Sequence, residues 1–412
     1  MPLIVYGIIF AYNTFFQLQR YYMLSKYSFG TYRTTYQNPI HKEALNYALD
    51  NGITHIDTSS NYMHGEAEIM IGQVIENRNR EDFTIVSKGG YIQGENLKRV
   101  MEGFKVEDLV RYDESCFHSI HEEFLEDQIN RSLERLKTDY IDVYLLHNPE
   151  YYLLKEIKVG MTEQAILKHH EIMQQRIKKA FAFLESKVKE GKIKAYGISS
   201  NSFAKKRINY HFLEYRHLIN YAKEIAGDNH HFKVIQLPMN MFENEGEECA
   251  KWAYENGLEV HINRPLNAMK DDKMIRLASY EECINYDSLL SQIREINNDA
   301  FQEVIDQILK IENEYRWAGD VDDIIEYQVI PYIVQNINLD PVYFQLVDNF
   351  LNCYKSNIKS RISKEVAKEL NINGPIDGVA LKYLEQKEYI TRILVGMRDK
   401  RYVKKILDYS KI

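Results

Sequence analysis

A chain of 412 residues with 45% hydrophobic content has enough apolar material to bury a large core, in one big domain or two smaller ones. Its formal net charge of -8, with both signs interspersed, offers no basic field for nucleic acid and favours a small neutral or polar partner. The four cysteines, Cys116, Cys249, Cys283 and Cys353, are far apart and form no CxxC, which suits a reducing compartment such as the cytoplasm better than a disulfide framework.

Residues 1–23 begin with "PLIVYGIIFAYNTFF", an apolar run of about 15 residues, short of the roughly 20 that span a bilayer. No basic residue precedes it and no small-residue cleavage site follows it, so it reads as an extension outside the main domain. Neither a signal peptide nor stable membrane insertion is expected.

From residue 27 onward, short β-rich runs alternate with helical stretches. The strand candidates in chain order are "YSFGTY", 52–57, 83–88, 140–147, 193–199, 232–238, 258–265 and 391–396. Amphipathic helices precede the second, fourth, fifth and seventh, with apolar residues recurring at three and four and Gly or Asn at several ends. Mostly apolar strands separated by helices are parallel and covered on both faces. Eight of them predict an α/β fold of the (β/α)8 barrel type, occupying 24–412 as a single domain. The rival, a doubly wound open sheet for a dinucleotide, lacks the GxGxxG turn after any strand.

Two stretches exceed what a barrel needs. Residues 89–124, after the third strand, contain Cys116, His118 and His121, a C-x-H-x-x-H run without a fourth zinc ligand nearby, so a polar loop is expected rather than a metal site. Residues 268–374, between the seventh and eighth strands, are too long for a structureless loop. Phe301, Val304, Ile305, Ile308, Ile311 and Tyr315 fall on one helical face, predicting a helical insertion that acts as a substrate lid, an oligomer contact or a solvated appendage.

Reactive groups of such barrels lie at the C-terminal ends of strands. Asp57 ends the second, Lys88 the third and His147 the fourth, and Tyr62 follows Asp57 by five residues. Each alone has an ordinary reading as a solvated or rim side chain. Together they supply an acid, a base, a charge partner and an orienting imidazole. A nearby ammonium lowers a phenol's pKa, Asp57 would keep Lys88 charged, and His147 could hydrogen-bond a carbonyl oxygen. The set can protonate an oxygen while a bound hydride donor attacks the carbonyl carbon.

These residues also lie in motifs that resemble the aldo-keto reductase family. "DTSSNYMHGEAEIMIG" is similar to that family's signature, and "LERLKTDYIDVYLLHNPE", "GKIKAYGISSNSF", "VIQLPMN", "RPLNA" and "RILVGMRDKRYVKKIL" follow in the family's order. The resemblance covers roughly residues 24–268 and 375–410 and implies NADP(H)-dependent reduction of an aldehyde or ketone, or the reverse, with NADP(H) preferred over NAD(H). It implies Asp57, Tyr62, Lys88 and His147 as the catalytic set, with Tyr62 the proton donor. It implies Ser199, Asn201 and Gln236 around the nicotinamide carboxamide, Arg264 and Leu266 near the pyrophosphate, and Gly396, Arg398 and Lys400 around the adenosine phosphate. Met63 stands where the family usually has glycine, and Met239 where an aromatic ring is common. A nucleotide-sensing binding protein of the same fold, with slow turnover, is the alternative reading. The substrate is a small carbonyl or alcohol of unspecified identity, and oligomeric state is open.

Overall fold

The computed structural model describes Leu24, residues 26–270 and residues 273–410; the apolar run of 1–23 lies outside them. Contacts divide the chain into two compact units, one running to Met239 and including Glu243–Pro265 and Leu384 onward, the other Asn240–Phe242 with Leu266–Tyr383.

The first unit is a closed parallel barrel of eight strands: β1 (Tyr27–Gly30), β2 (His55–Asp57), β3 (Thr84–Gly89), β4 (Ile141–His147), β5 (Ile193–Ser199), β6 (Phe232–Pro238), β7 (Glu259–Asn263) and β8 (Arg392–Gly396). Each strand pairs with its neighbours in sequence, and β8 closes on β1 through Gly30 opposite Gly396. All eight expected strands are present. Val86, Val143, Leu145 and Val234 form a buried cluster, the branched filling expected inside a barrel of this size.

Helices α1 (Pro39–Asp50), α2 (Glu66–Ile75), α3 (Glu122–Leu136), α4 (Glu163–Lys189), α5 (Leu218–Ala226), α6 (Glu247–Glu255) and α7 (Lys400–Tyr409) also belong to this unit. Their starts follow local rules. Asn38 caps α1 with Pro39 in its first turn, and Thr162 caps α4 by accepting from the amide of Ala165; such a cap contributes about 1 kcal/mol. The segment after β3 folds into a three-stranded antiparallel sheet of Tyr91–Ile92, Phe117–His118 and Val110–Arg111 with the helix Gly94–Met101. It packs around Ile92, Phe117 and Phe124.

The second unit holds the antiparallel pair Asn267–Lys270 and Lys273–Arg276 and a set of helices. Asp299–Ile311 buries Phe301, Val304, Ile305 and Ile308 against residues of Phe344–Glu369, including Phe350 and Tyr354. Cys283 and Cys353 are disulfide-bonded, which corrects the expectation of reduced thiols at these two positions. Cys116 and Cys249 are free and buried.

Candidate active site

Strand register brings the polar residues together. His147, Ser199 and Gln236 are direct partners across β4, β5 and β6, so three consecutive strands present a polar group at one level. Asp57 ends β2, and Lys88 lies one residue before the end of β3.

A turn sets Tyr62 over this level. Met63, His64 and Gly65 take φ of 46°, 58° and 92°, three successive left-handed residues that reverse the chain into α2. Glycine alone accepts that conformation without steric cost. The remaining signature residues fix α2 in place. A Cβ on Gly72 would stand 2.3 Å from the Arg135 carbonyl oxygen of α3, so close approach of the two helices demands glycine. Glu68, fully buried, accepts from Ser87 Oγ at 2.6 Å and from Arg135 Nε at 2.7 Å, pinning the helix to β3 and α3.

Lys88 Nζ donates to Asp57 Oδ1 at 2.6 Å, to the Thr58 carbonyl at 2.7 Å and to the Tyr62 hydroxyl at 3.3 Å. Burial works against the ammonium, but Asp57 and Tyr62 outweigh it and its pKa stands above the ordinary lysine value. For Tyr62, desolvation raises the pKa more than the Lys88 charge lowers it, so the phenol stays neutral and its pKa is net elevated. That corrects the expectation of a lowered phenol pKa: the ammonium acts in the expected direction, and burial is the larger effect.

His147 is buried, with Nδ1 3.1 Å from Ser59 Oγ. Burial, then the charge of Lys88, hold its pKa well below the ordinary value, so the ring is neutral. Tyr32 and His147 stand edge-on to Tyr62 at centroid distances of 5.2 and 6.1 Å, and Tyr91 stands edge-on to His147 at 4.7 Å. His118 Nε2 lies 2.7 Å from the His147 carbonyl oxygen, and His121 caps α3, so both histidines of the suspected metal run have structural partners.

The candidate cofactor residues are placed unevenly. Ser199 Oγ donates to Gln236 Oε1 at 2.8 Å, and Gln236 Nε2 donates to Asp57 Oδ2 at 2.8 Å. Asn201 is exposed beyond β5, with its amide held by Asn148 Oδ1 at 3.1 Å. At the C-terminal end of β8, level through Gly30 with Asp57, Gly396 is exposed, with open space where a Cβ would stand. Lys400 is ion-paired to Glu43 at 3.0 Å, whereas Arg398, half-buried, forms no ion pair among the described residues. Arg264, at φ of 53°, pairs with Glu243 at 2.9 Å. Leu266 belongs to the other unit, where its carbonyl accepts from Leu277 at 2.9 Å.

Four residues escaped the sequence reading: Ser59, Tyr91, Asn148 and Glu150. Asn148 has φ of 52°; its amide donates to the Ser199 carbonyl at 2.7 Å and its Nδ2 to the Tyr91 hydroxyl at 2.6 Å. An Asn-Pro step directly after a strand is a turn signal that marks this position.

The donor set fits a nicotinamide nucleotide. A serine hydroxyl and a glutamine amide at adjacent strand ends match the donors and acceptor of a carboxamide, and a guanidinium beside an open glycine suits a phosphate. The Aldo/keto reductase family model matches residues 26–316. Over shorter stretches the chain is 31% identical to an uncharacterized oxidoreductase of Bacillus subtilis, YqkF, across 156 residues, 38% of this chain and 38% of the other. It is 29% identical to a D-threo-aldose 1-dehydrogenase of Pseudomonas across 162 residues, 38% of this chain and 42% of the other. The chain therefore spans less than half the length of these curated relatives. Among solved structures, an aldo-keto reductase of Bacillus halodurans in its holo form aligns with a TM-score of 0.49 at 17% identity, covering 93% of this chain and 86% of that one.

Proposed function

The chain belongs to the aldo/keto reductase family, and from that premise we propose that it is an NADP(H)-dependent oxidoreductase that reduces a small aldehyde or ketone, or runs the reverse. The observation that carries this reading is the contact of the buried Lys88 with both Asp57 and Tyr62 beside a neutral His147.

A bound reduced nicotinamide supplies the hydride to the carbonyl carbon. Ser199 and Gln236, with Asn201, are the residues for its carboxamide, Arg398 is the principal residue for the 2′-phosphate with Gly396 and Lys400 beside it, and Arg264 and Leu266 are the candidates for the pyrophosphate. Tyr62 donates the proton to the carbonyl oxygen. An elevated phenol pKa keeps that proton in place until negative charge develops on the oxygen, and Lys88 then stabilises the phenolate that remains. Asp57 keeps the ammonium charged and aimed. When Ser59 donates to Nδ1 of His147, the neutral ring carries its proton on Nε2 and presents a donor to the same oxygen.

The test is NADPH consumption with a panel of aldehydes and ketones, alongside Arg398→Ala. Turnover with NADPH and loss of NADPH affinity in the variant support the reading; no consumption with any carbonyl, despite tight NADPH binding, points instead to a nucleotide sensor.

A further inference from the structure

The segment that follows His147 reaches across to the segment that follows Ser199. Asn148 Oδ1 accepts from the amide of Asn201 at 3.1 Å, and Glu150 Oε1 accepts from the next amide, Ser202, at 3.2 Å. The Asn148 amide returns a bond to the Ser199 carbonyl at 2.7 Å. Two consecutive amides of the turn are thus held by two side chains from a neighbouring strand end. Glu150 is 2% exposed, its Oε2 has no hydrogen-bond partner among the described residues, and no ion pair among them includes it. A carboxylate buried in this way without an ion pair costs free energy that a structural residue such as glutamine would avoid.

We infer that Glu150 is a positioning residue that, with Asn148, clasps the Ser199–Ser202 turn and thereby sets the protein's grip on the nicotinamide end of the cofactor. This rests on the function proposed above. Burial pushes the Glu150 carboxyl up to about 7, against the pull of Ser200 and of the amides of Ser202 and Asn201, which favour the charged form. The titratable groups facing it are the phenols of Tyr91 and Tyr151, both with pKa raised by burial and so neutral. The clasp therefore changes strength near neutrality. The carboxylate is the stronger acceptor, so the turn is held above that pKa and loosened as pH falls through it.

Two ligands separate this effect from the titration of the cofactor's own phosphates. NADP and 2′-phospho-ADP-ribose share the adenosine and all three phosphates, and only NADP carries nicotinamide. Calorimetric affinities for both, measured from about pH 5.5 to about pH 8.5 on wild type, give a ratio that reports the nicotinamide end. The expected result is a ratio that falls with falling pH, by up to about tenfold if binding moves the Glu150 pKa by about one unit. In Glu150→Gln the ratio is expected to be flat. A flat ratio in wild type, or an undiminished slope in a folded Glu150→Gln, overturns the inference while leaving the proposed function intact. Absence of NADP binding at every pH overturns both.

Discussion

Gln236 Nε2 donates to the second oxygen of Asp57 at 2.8 Å, while the first oxygen takes Lys88 Nζ at 2.6 Å. Asp57 thus joins the amide expected to meet the cofactor to the lysine that touches Tyr62, in one hydrogen-bonded chain from Ser199 to the phenol. The links from Ser199 through Gln236 and Asp57 to Lys88 are buried, so a missing partner there is costly, while the last, from Lys88 to Tyr62, is part-buried and longer at 3.3 Å.

That chain predicts a pH-dependent defect in Gln236→Glu. A protonated glutamic acid can replace the amide as donor to Asp57, but two carboxylates at this distance cannot both ionise. Near pH 5 the variant should approach wild-type stability, and near pH 8 it should lose about 3 kcal/mol, as for a disrupted buried charge pair. Thermal melting at both pH values checks it; a constant offset between variant and wild type would show that Gln236 does not contact an ionised Asp57.

Tyr62→Phe removes the proton donor and leaves the ring. Carbonyl reduction should fall by about 10² to 10⁴, the range for loss of a general acid, with NADPH affinity nearly unchanged. The paired readout is turnover and NADPH binding by fluorescence. Near-normal turnover in this variant would rule out the proton-transfer role.

The architecture was legible because each barrel strand is a short apolar run bounded by helical periodicity, and Asp57, Lys88 and His147 each close or nearly close such a run. What joins them was not. The Asn148 and Glu150 clasp depends on His147 and Ser199 being register partners, a relation between strands that spacing along the chain does not encode. The Tyr62 pKa turned on burial exceeding a neighbouring charge, and residue types alone do not rank the two. The disulfide joins cysteines 70 residues apart, with no spacing pattern to announce it.

Met63 has φ of 46° and is 42% exposed, so its cost is in the backbone rather than in packing. Left-handed conformation costs a non-glycine residue about 1–2 kcal/mol, while glycine adds about 0.5–1 kcal/mol of unfolded-state entropy. Met63→Gly should therefore stabilise the protein by about 0.5 kcal/mol. Urea unfolding resolves the sign, and a destabilised variant would mean that the side chain contributes contacts worth more than the strain.

His118 predicts acid sensitivity of the barrel. Burial, opposed by its bond to the His147 carbonyl, lowers its pKa to about 4. The unfolded chain takes up the proton near pH 6.5 and the folded one only near 4, so stability is full above about 6.5 and is lost as pH falls toward about 4. The shift corresponds to about 3 kcal/mol. His55 and His147 are shifted in the same direction and add to the slope. His118→Gln keeps an N–H donor without the titration, and should flatten the dependence of unfolding free energy on pH in that window; an unchanged slope would place the acid sensitivity elsewhere.

The Cys283–Cys353 bond closes a loop of 70 residues that contains the helices Tyr286–Arg294 and Asp299–Ile311. Closing a loop of that length in the unfolded chain is worth about 4 kcal/mol by chain entropy. The second unit has its own buried core, including Phe301, Ile305, Phe350 and Tyr354, so it should stay folded after reduction but open more often. The barrel's eight strands lie outside the loop, and their hydrogen exchange should not change. Exchange measured with and without reductant therefore distinguishes the cases. Faster exchange in Tyr286–Arg294, Asp299–Ile311 and Phe344–Glu369, with the barrel strands unchanged, is expected, and equal exchange in both states would mean that the bond constrains nothing the core does not already hold.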